Sequence, residues 1–208
     1  MTVAAASIQA LTQSLDDGQQ AELAETALRS LRAVELQVGR LGRLQGLSGG
    51  ELQRRPTDLV ALVRELITDL DTSLLHDHPT ELDAPDELVV DVDPDQIRQV
   101  VYNLLSNAAK YSPQGRVVVV AIEEHADELR LEVRDLGDGV APENADRIFG
   151  KYERVDEEIP GAGLGLYLAR LVIEAHGGQL SLVPAEGEGA IFRVELPRAD
   201  ARLVDGGR

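Results

Sequence analysis

A short alternating run, Leu129-Arg130-Leu131-Glu132-Val133-Arg134, stops abruptly at Asp135-Leu136-Gly137-Asp138-Gly139. Strict alternation of apolar and polar residues marks a half-buried strand. Glycines at its end permit positive φ and close approach of backbone to a ligand. The chain must therefore fold so that one carboxylate, Asp135, is fixed at a glycine break. A second glycine run, Gly161-Ala162-Gly163-Leu164-Gly165-Leu166, separates a polar loop from a helical pattern. Either run alone has an ordinary reading, an Asp-Gly turn in the first case and a flexible hinge in the second.

The segment before them removes part of that ambiguity. Asn103, Asn107, Lys110 and Tyr111 fall at i, i+4, i+7 and i+8, which places them on one face of a helix. The rest of that helix carries Ile97, Val100, Val101, Leu104 and Leu105. Two amides, an ammonium and a phenol on one stripe suit a bound Mg-polyphosphate. Mg²⁺ takes one or two protein oxygens, keeps waters and uses substrate phosphates for the rest. By itself the stripe could also be a solvated face with a capping Asn. A carboxylate at Asp135 can accept from an exocyclic amine, which distinguishes adenine from guanine. The glycine run opening a helix offers unpaired N–H groups and a positive dipole end to phosphate. Its Gly-x-Gly-x-Gly spacing is not the dinucleotide fingerprint, and no Gly-Lys-Ser/Thr follows to make a P-loop.

Hydrophobic periodicity supplies the frame. Residues 2–16 and 20–47 are expected to form an antiparallel helical hairpin turning at Asp16-Asp17-Gly18. Ala24, Ala27, Leu31, Val34, Val38 and Leu41 recur at gaps of three and four, a heptad seam. Two helices bury such a seam poorly, so a four-helix bundle with a second copy is expected; the alternative is packing on the downstream domain. Gly39, Gly42, Gly46, Gly49 and Gly50 mark a hinge. Beyond it, helices are expected at 58–71, 94–111, 144–149 and 162–175, and strands at 87–92, 116–124, 129–135, 179–183 and 190–196. Residues 150–161 read as a polar loop. The expected class is α+β, a two-layer sandwich with helices on one face of a mixed sheet. The domains are then 1–50 for the hairpin, 51–197 for the sandwich and 198–208 for a polar tail.

Composition excludes some functions. A net charge of −17 argues against a nucleic-acid surface, because phosphate neutralisation needs clustered Lys and Arg. Cysteine is absent, which removes disulfides and thiolate metal sites and fits a reducing compartment. No apolar run approaches the ~20 residues of a membrane span, and the first residues lack the basic start of a signal peptide. A cytoplasmic chain without membrane contact is expected.

From about Pro56 to Pro197 the motifs resemble, in order, the ATP-binding domain of sensor histidine kinases, in the gyrase-like Bergerat-fold ATPase superfamily. The N box is matched by Asn103 to Ser112. The adenine-binding Asp-x-Gly-x-Gly is matched by Asp135, Gly137 and Gly139. An F box is matched by Arg147-Ile148-Phe149-Gly150-Lys151-Tyr152-Glu153-Arg154-Val155-Asp156, and the lid hinge by Gly161 to Leu166. The resemblance implies that Asp135 binds the adenine amine and Asn107 helps hold Mg²⁺. It also implies that Lys110, Tyr111 and Arg154 approach the phosphates, and that 150–161 is a lid over ATP. Gly161, Gly163, Leu164, Gly165 and Leu166 of the hinge would bind the nucleotide. Hydrolytic relatives place a Glu four residues before the Mg-binding Asn. This chain has Asn103 there, and a neutral amide cannot take a proton as a general base, so phosphoryl transfer is expected over hydrolysis.

The helical hairpin resembles that family's dimerisation domain, joined after its His-Glu-x-x-x-Pro box. None of the four histidines replaces that box: His76 and His78 are expected in a solvated loop, His125 at a hairpin turn, and His176 at a helix C-terminus where its partial charge is favourable. The phosphoacceptor is thus expected outside this chain. The resemblance implies a homodimer that binds Mg-ATP and signals to a response-regulator receiver domain. Two other readings stay open: a nucleotide-binding dimeric scaffold without kinase activity, and a serine kinase of an anti-sigma-antagonist protein.

Overall fold

The computed structural model describes residues 52–153, 163–183 and 189–198. The chain divides into Met1–Gly50 and Glu51–Arg208, and every described residue belongs to the second unit. The expected hairpin at 2–16 and 20–47 and residues 199–208 of the polar tail lie outside the described residues.

Among the described residues, seven strands and three α-helices follow in the order β1 (Arg55–Asp58), α1 (Leu59–Asp71), β2 (Thr80–Asp83), β3 (Val89–Val92), α2 (Pro94–Tyr111), β4 (Val118–Glu124), β5 (Glu128–Arg134), α3 (Gly165–Ala175), β6 (Gln179–Val183) and β7 (Ile191–Pro197). Five strands make a mixed sheet in the order β2-β4-β5-β7-β6. β2 runs parallel to β4, and the other neighbours are antiparallel. β1 and β3 form a separate antiparallel ribbon.

Alternation assigns the two faces of the sheet. Val118, Val120 and Ile122 on β4, Leu129, Leu131 and Val133 on β5, and Phe192, Val194 and Leu196 on β7 are buried. The opposite face carries paired charges. Arg130 stands opposite Glu195 and Glu132 opposite Arg193, and both pairs are bridged. Such facing pairs stabilise a sheet modestly. The helices cover the apolar face: α2 packs against α1, α3, β4 and β5, and α3 against β6 and β7. Leu104 and Leu105 on α2 and Ile173 on α3 are fully buried, each contributing roughly 1.5–3 kcal/mol. The expected α+β sandwich is therefore the observed one.

Helix starts follow local chemistry. Asp58 caps α1 by accepting from the Val60 N–H, and Asp93 caps α2 by accepting from the Gln96 N–H, with Pro94 in the first turn. α3 starts at Gly165, three residues later than the apolar pattern predicts, and Leu164 gives it no side-chain cap.

Other boundaries also depart from expectation. β1 and β2 are strands that alternation did not signal. β1 contains Pro56, which an edge ribbon tolerates, and β2 is a four-residue edge strand with two exposed acids. The helix expected at 144–149 is two 3₁₀ turns, Pro142–Asn144 and Arg147–Phe149. His78 is not solvated: it is buried, with Nδ1 3.3 Å from the Arg116 carbonyl. Among the described residues no helix is long and apolar enough to cross a membrane.

Candidate nucleotide-binding site

The site is built around α2. Its polar stripe descends from a buried end to an exposed one: Asn103 is 2% exposed, Asn107 is half-buried, and Lys110 and Tyr111 are exposed. The eight residue steps from 103 to 111 span about 12 Å of helix axis. Each end of that span touches one of the glycine motifs.

At the buried end, Asn103 Nδ2 donates to the carbonyl of Gly165 at 3.1 Å. Gln99 Nε2 donates in turn to Asn103 Oδ1, also at 3.1 Å. The start of α3 is thus tied to α2. Leu164 gives α3 no side-chain cap, and among the described residues no side chain accepts from its first-turn N–H groups, a helix end suited to an anion.

At the exposed end, the turn after β5 packs on the last residue of α2. A Cβ on Gly137 would lie 2.1 Å from the Tyr111 carbonyl oxygen, so only glycine fits. Leu136 N–H reaches Ser112 Oγ at 3.4 Å. Residue 111 therefore stands at the Asp135 end of the stripe rather than at the glycine-loop end.

Asp135 lies one residue beyond β5 and is 3% exposed. Its Oδ1 accepts from the N–H groups of Gly137 and Ala190, both at 3.0 Å. Among the described residues, Oδ2 receives no hydrogen bond. Burial raises the pKa of this carboxyl above its ordinary value, against the lowering effect of those two N–H groups. One oxygen is spent on holding the group still, and the other is left to accept.

The Asn107 amide makes no hydrogen bond to any described residue, so its carbonyl oxygen is available. Among the described residues, no three His, Cys, Asp or Glu side chains converge to hold a metal. One amide oxygen on α2 fits an ion that takes most of its ligands from phosphates and water. The donor set fits Mg-ATP.

On the far side of the glycine loop, Tyr152 N–H donates to the Gly163 carbonyl at 3.0 Å. Both residues have positive φ, 64° and 63°. A Cβ on Gly163 would lie 2.8 Å from the Tyr152 carbonyl carbon. Phe149 of the F-box stretch packs edge-on against Phe192, and Arg170 of α3 lies over its ring. Arg154 and Gly161 lie outside the described residues.

The sequence model of the histidine kinase-, DNA gyrase B- and HSP90-like ATPases matches residues 92–200. This chain belongs to that family. Over 147 residues it is 31% identical to the sensor protein KdpD of Clostridium acetobutylicum, covering 67% of this chain and 16% of KdpD. Over 211 residues it is 32% identical to the adaptive-response sensory kinase SasA of Synechococcus sp. strain JA-3-3Ab, covering 95% of this chain and 55% of SasA. The structure of full-length ShkA in complex with AMPPNP matches with a TM-score of 0.72 and 28% identity, covering 90% of this chain and 40% of that one. The described unit is thus a Bergerat-fold ATPase core of the sensor-histidine-kinase kind, and the chain spans little over half of SasA and less of KdpD and ShkA.

Two contributors to this ATPase core escaped sequence reasoning. Ala190 acts through its backbone N–H, which no side-chain motif reveals; the pairing of Arg134 with Ile191 brings it beside Asp135. Gln99 sits four residues before Asn103, a spacing that could have signalled it.

Proposed function

We propose that this chain binds Mg-ATP and transfers the γ-phosphoryl group to a histidine presented by another helical segment, for relay to a response-regulator aspartate. The observation that carries this reading is Asp135, a buried carboxylate with one oxygen pinned and the other open. In this reading Oδ2 accepts from the adenine amine and Asn107 supplies an oxygen to Mg²⁺. Bound Mg²⁺ neutralises charge on the transferring phosphates. The N–H groups at the start of α3 hold phosphate oxygens, with Gly163, Leu164, Gly165 and Leu166 letting the backbone come close. Arg154 and Gly161 complete the phosphate side. Lys110 and Tyr111 flank the nucleotide from the exposed end of α2. Asn103 serves transfer by holding the site together, and its neutral amide gives water no general base. Residues 1–50 form the dimerisation hairpin, and residues 51–197 form the catalytic domain.

The four histidines support an acceptor supplied in trans. His78 and His176 are buried, His76 lies in a turn and His125 in the β4–β5 hairpin. None is on an exposed helix face, where an acceptor could meet the nucleotide of another domain. The test mixes the chain with a histidine-bearing helical hairpin and γ-labelled ATP. Acid-labile label on the hairpin, and none on this chain, is expected. ATP binding without any transfer would favour a nucleotide-responsive scaffold. Label on a hydroxyl of a protein substrate would favour a serine kinase.

A further inference from the structure

We propose that Gln99 is a positioning residue for the phosphate end of this site, acting through Asn103 on the first turn of α3. The inference rests on reading the start of α3 as the phosphate-binding end, as above. Its own evidence is a directional chain of two hydrogen bonds: Gln99 Nε2 to Asn103 Oδ1, then Asn103 Nδ2 to the Gly165 carbonyl, each 3.1 Å.

The direction of that chain is forced. A backbone carbonyl only accepts, so Asn103 must turn its NH₂ toward Gly165. Its oxygen then faces Gln99, which must answer with a donor. Asn103 is 2% exposed, so water cannot readily replace either partner, and a reversed amide would set oxygen against oxygen in a low-dielectric place.

The ladder also accounts for the residue type at position 103. That position needs an acceptor on one side and a donor on the other at the same time. An ionised carboxylate only accepts. A general base here and a tether to Gly165 are therefore mutually exclusive, and this chain has the tether. Holding the Gly165 carbonyl fixes the rotation of α3 about its own axis. The first-turn N–H groups turn with it, so the ladder sets where they aim. Steric contact alone does not do this, since a Cβ on Gly165 would meet Asn103 Cγ only at 3.7 Å.

Three variants test the proposal: Gln99→Met, which keeps bulk and removes the donor; Gln99→Glu, which keeps shape and replaces the donor with an acceptor; and Asn103→Asp, which removes the donor to Gly165. Thermal melts establish folding. ATP and adenosine are titrated against each folded variant. In the nucleotide-free protein, hydrogen exchange of the Asn103 carboxamide is followed by NMR. Gln99→Glu and Asn103→Asp should each weaken ATP on the order of tenfold, while adenosine changes less than about twofold. Gln99→Met should lose less than Gln99→Glu, because an apolar neighbour leaves Asn103 facing Gly165 and an acceptor turns it away. Equal losses for ATP and adenosine, or a larger loss in Gln99→Met than in Gln99→Glu, would overturn the proposal and leave Gln99 a packing residue. A wild-type chain binding neither ligand would overturn it too, and a protected Asn103 NH₂ in that chain would show that the nucleotide reading had failed and not the ladder.

Discussion

The imidazole of His176 accepts at Nε2 from the backbone N–H of Asp93, at 3.0 Å, and donates from Nδ1 to the Val172 carbonyl at 2.7 Å. This bond joins the C-terminus of α3 to the N-cap of α2, the two helices that carry the site. Arg54 Nη2 adds a bond to the Ala175 carbonyl at the same helix end. Sequence reasoning gave His176 a favourable partial charge at a helix C-terminus. The structure corrects this: the ring is 2% exposed and neutral, because Nε2 must accept. Burial lowers its pKa from 6.5, and Arg54 adds to that against the raising effects of the Val172 bond, Asp93 and Asp91. The unfolded chain therefore takes up a proton before the folded one. Stability contributed here is complete above about pH 6.5 and declines as pH falls toward the folded value, by at most about 1.4 kcal/mol per pH unit. Chemical denaturation between pH 5 and 8 should show that slope in wild type and lose it in His176→Gln. His176→Ala should cost about 2–4 kcal/mol, from the cavity and the unpaired Asp93 N–H.

Asp135 separates binding from folding. Its pKa is raised from 3.8 mainly by burial. Ionisation therefore opposes folding, and the penalty sets in as pH rises from about 3.8 through the folded value. Asp135→Asn keeps an oxygen for the Gly137 and Ala190 N–H groups and removes the charge. At pH 7 it should melt at or above wild type. It should also turn an NH₂ toward the adenine amine, donor against donor. A hydrogen bond to a charged group is worth about 1.5–3 kcal/mol, so ATP affinity should fall on the order of 10- to 100-fold, as read with a fluorescent ATP analogue. A folded Asp135→Asn that binds ATP like wild type would remove Asp135 from the site.

In the proposed function Asn107 serves the metal and Asp135 serves the base. Asn107→Ala should therefore weaken ATP in the presence of Mg²⁺ and leave chelator-treated ATP within about threefold of wild type, a difference below roughly 0.7 kcal/mol. Paired titrations with and without chelator read this directly. Equal losses in the two series would mean that Asn107 only maintains α2.

The glycines of the hinge are not equivalent. Gly163 has a φ of 63° and no room for a Cβ, so Gly163→Ala should destabilise by about 1–3 kcal/mol. Gly165 is helical and a Cβ there meets only Asn103 at ordinary contact distance. Gly165→Ala should hold or raise the melting temperature, by up to about 1 kcal/mol in stability. Thermal melts of the two variants without nucleotide should move in opposite directions.

The strongest periodicities in the sequence became the best-read elements. α2 announced itself through Pro94 and its buried aliphatic face, and β5 through strict alternation. β1 and β2 did not, because four-residue edge strands with a proline or exposed acids carry no usable period. The start of α3 was misread because Ala162 to Leu164 continues the apolar run while Gly163 at positive φ breaks the helix. Asp135, Asn103 and Asn107 were legible in the sequence as candidate site residues. The means by which they are held was not, since it depends on backbone N–H groups of Gly137 and Ala190 and on a strand register joining residues far apart in the chain. His78 and His176 show the same limit: both looked peripheral in sequence, and both are buried where tertiary contacts bring a carbonyl or an N–H to the ring.

The proposed function rests on adenine recognition by the buried Asp135 carboxylate. Calorimetric titration of the whole chain with ATP and with GTP, each in excess Mg²⁺, tests this most directly. Saturable ATP binding is expected, with GTP weaker by at least about tenfold, because a carbonyl in place of the amine faces Asp135 Oδ2 acceptor to acceptor. Equal affinity for the two nucleotides, or no binding of ATP, would contradict it.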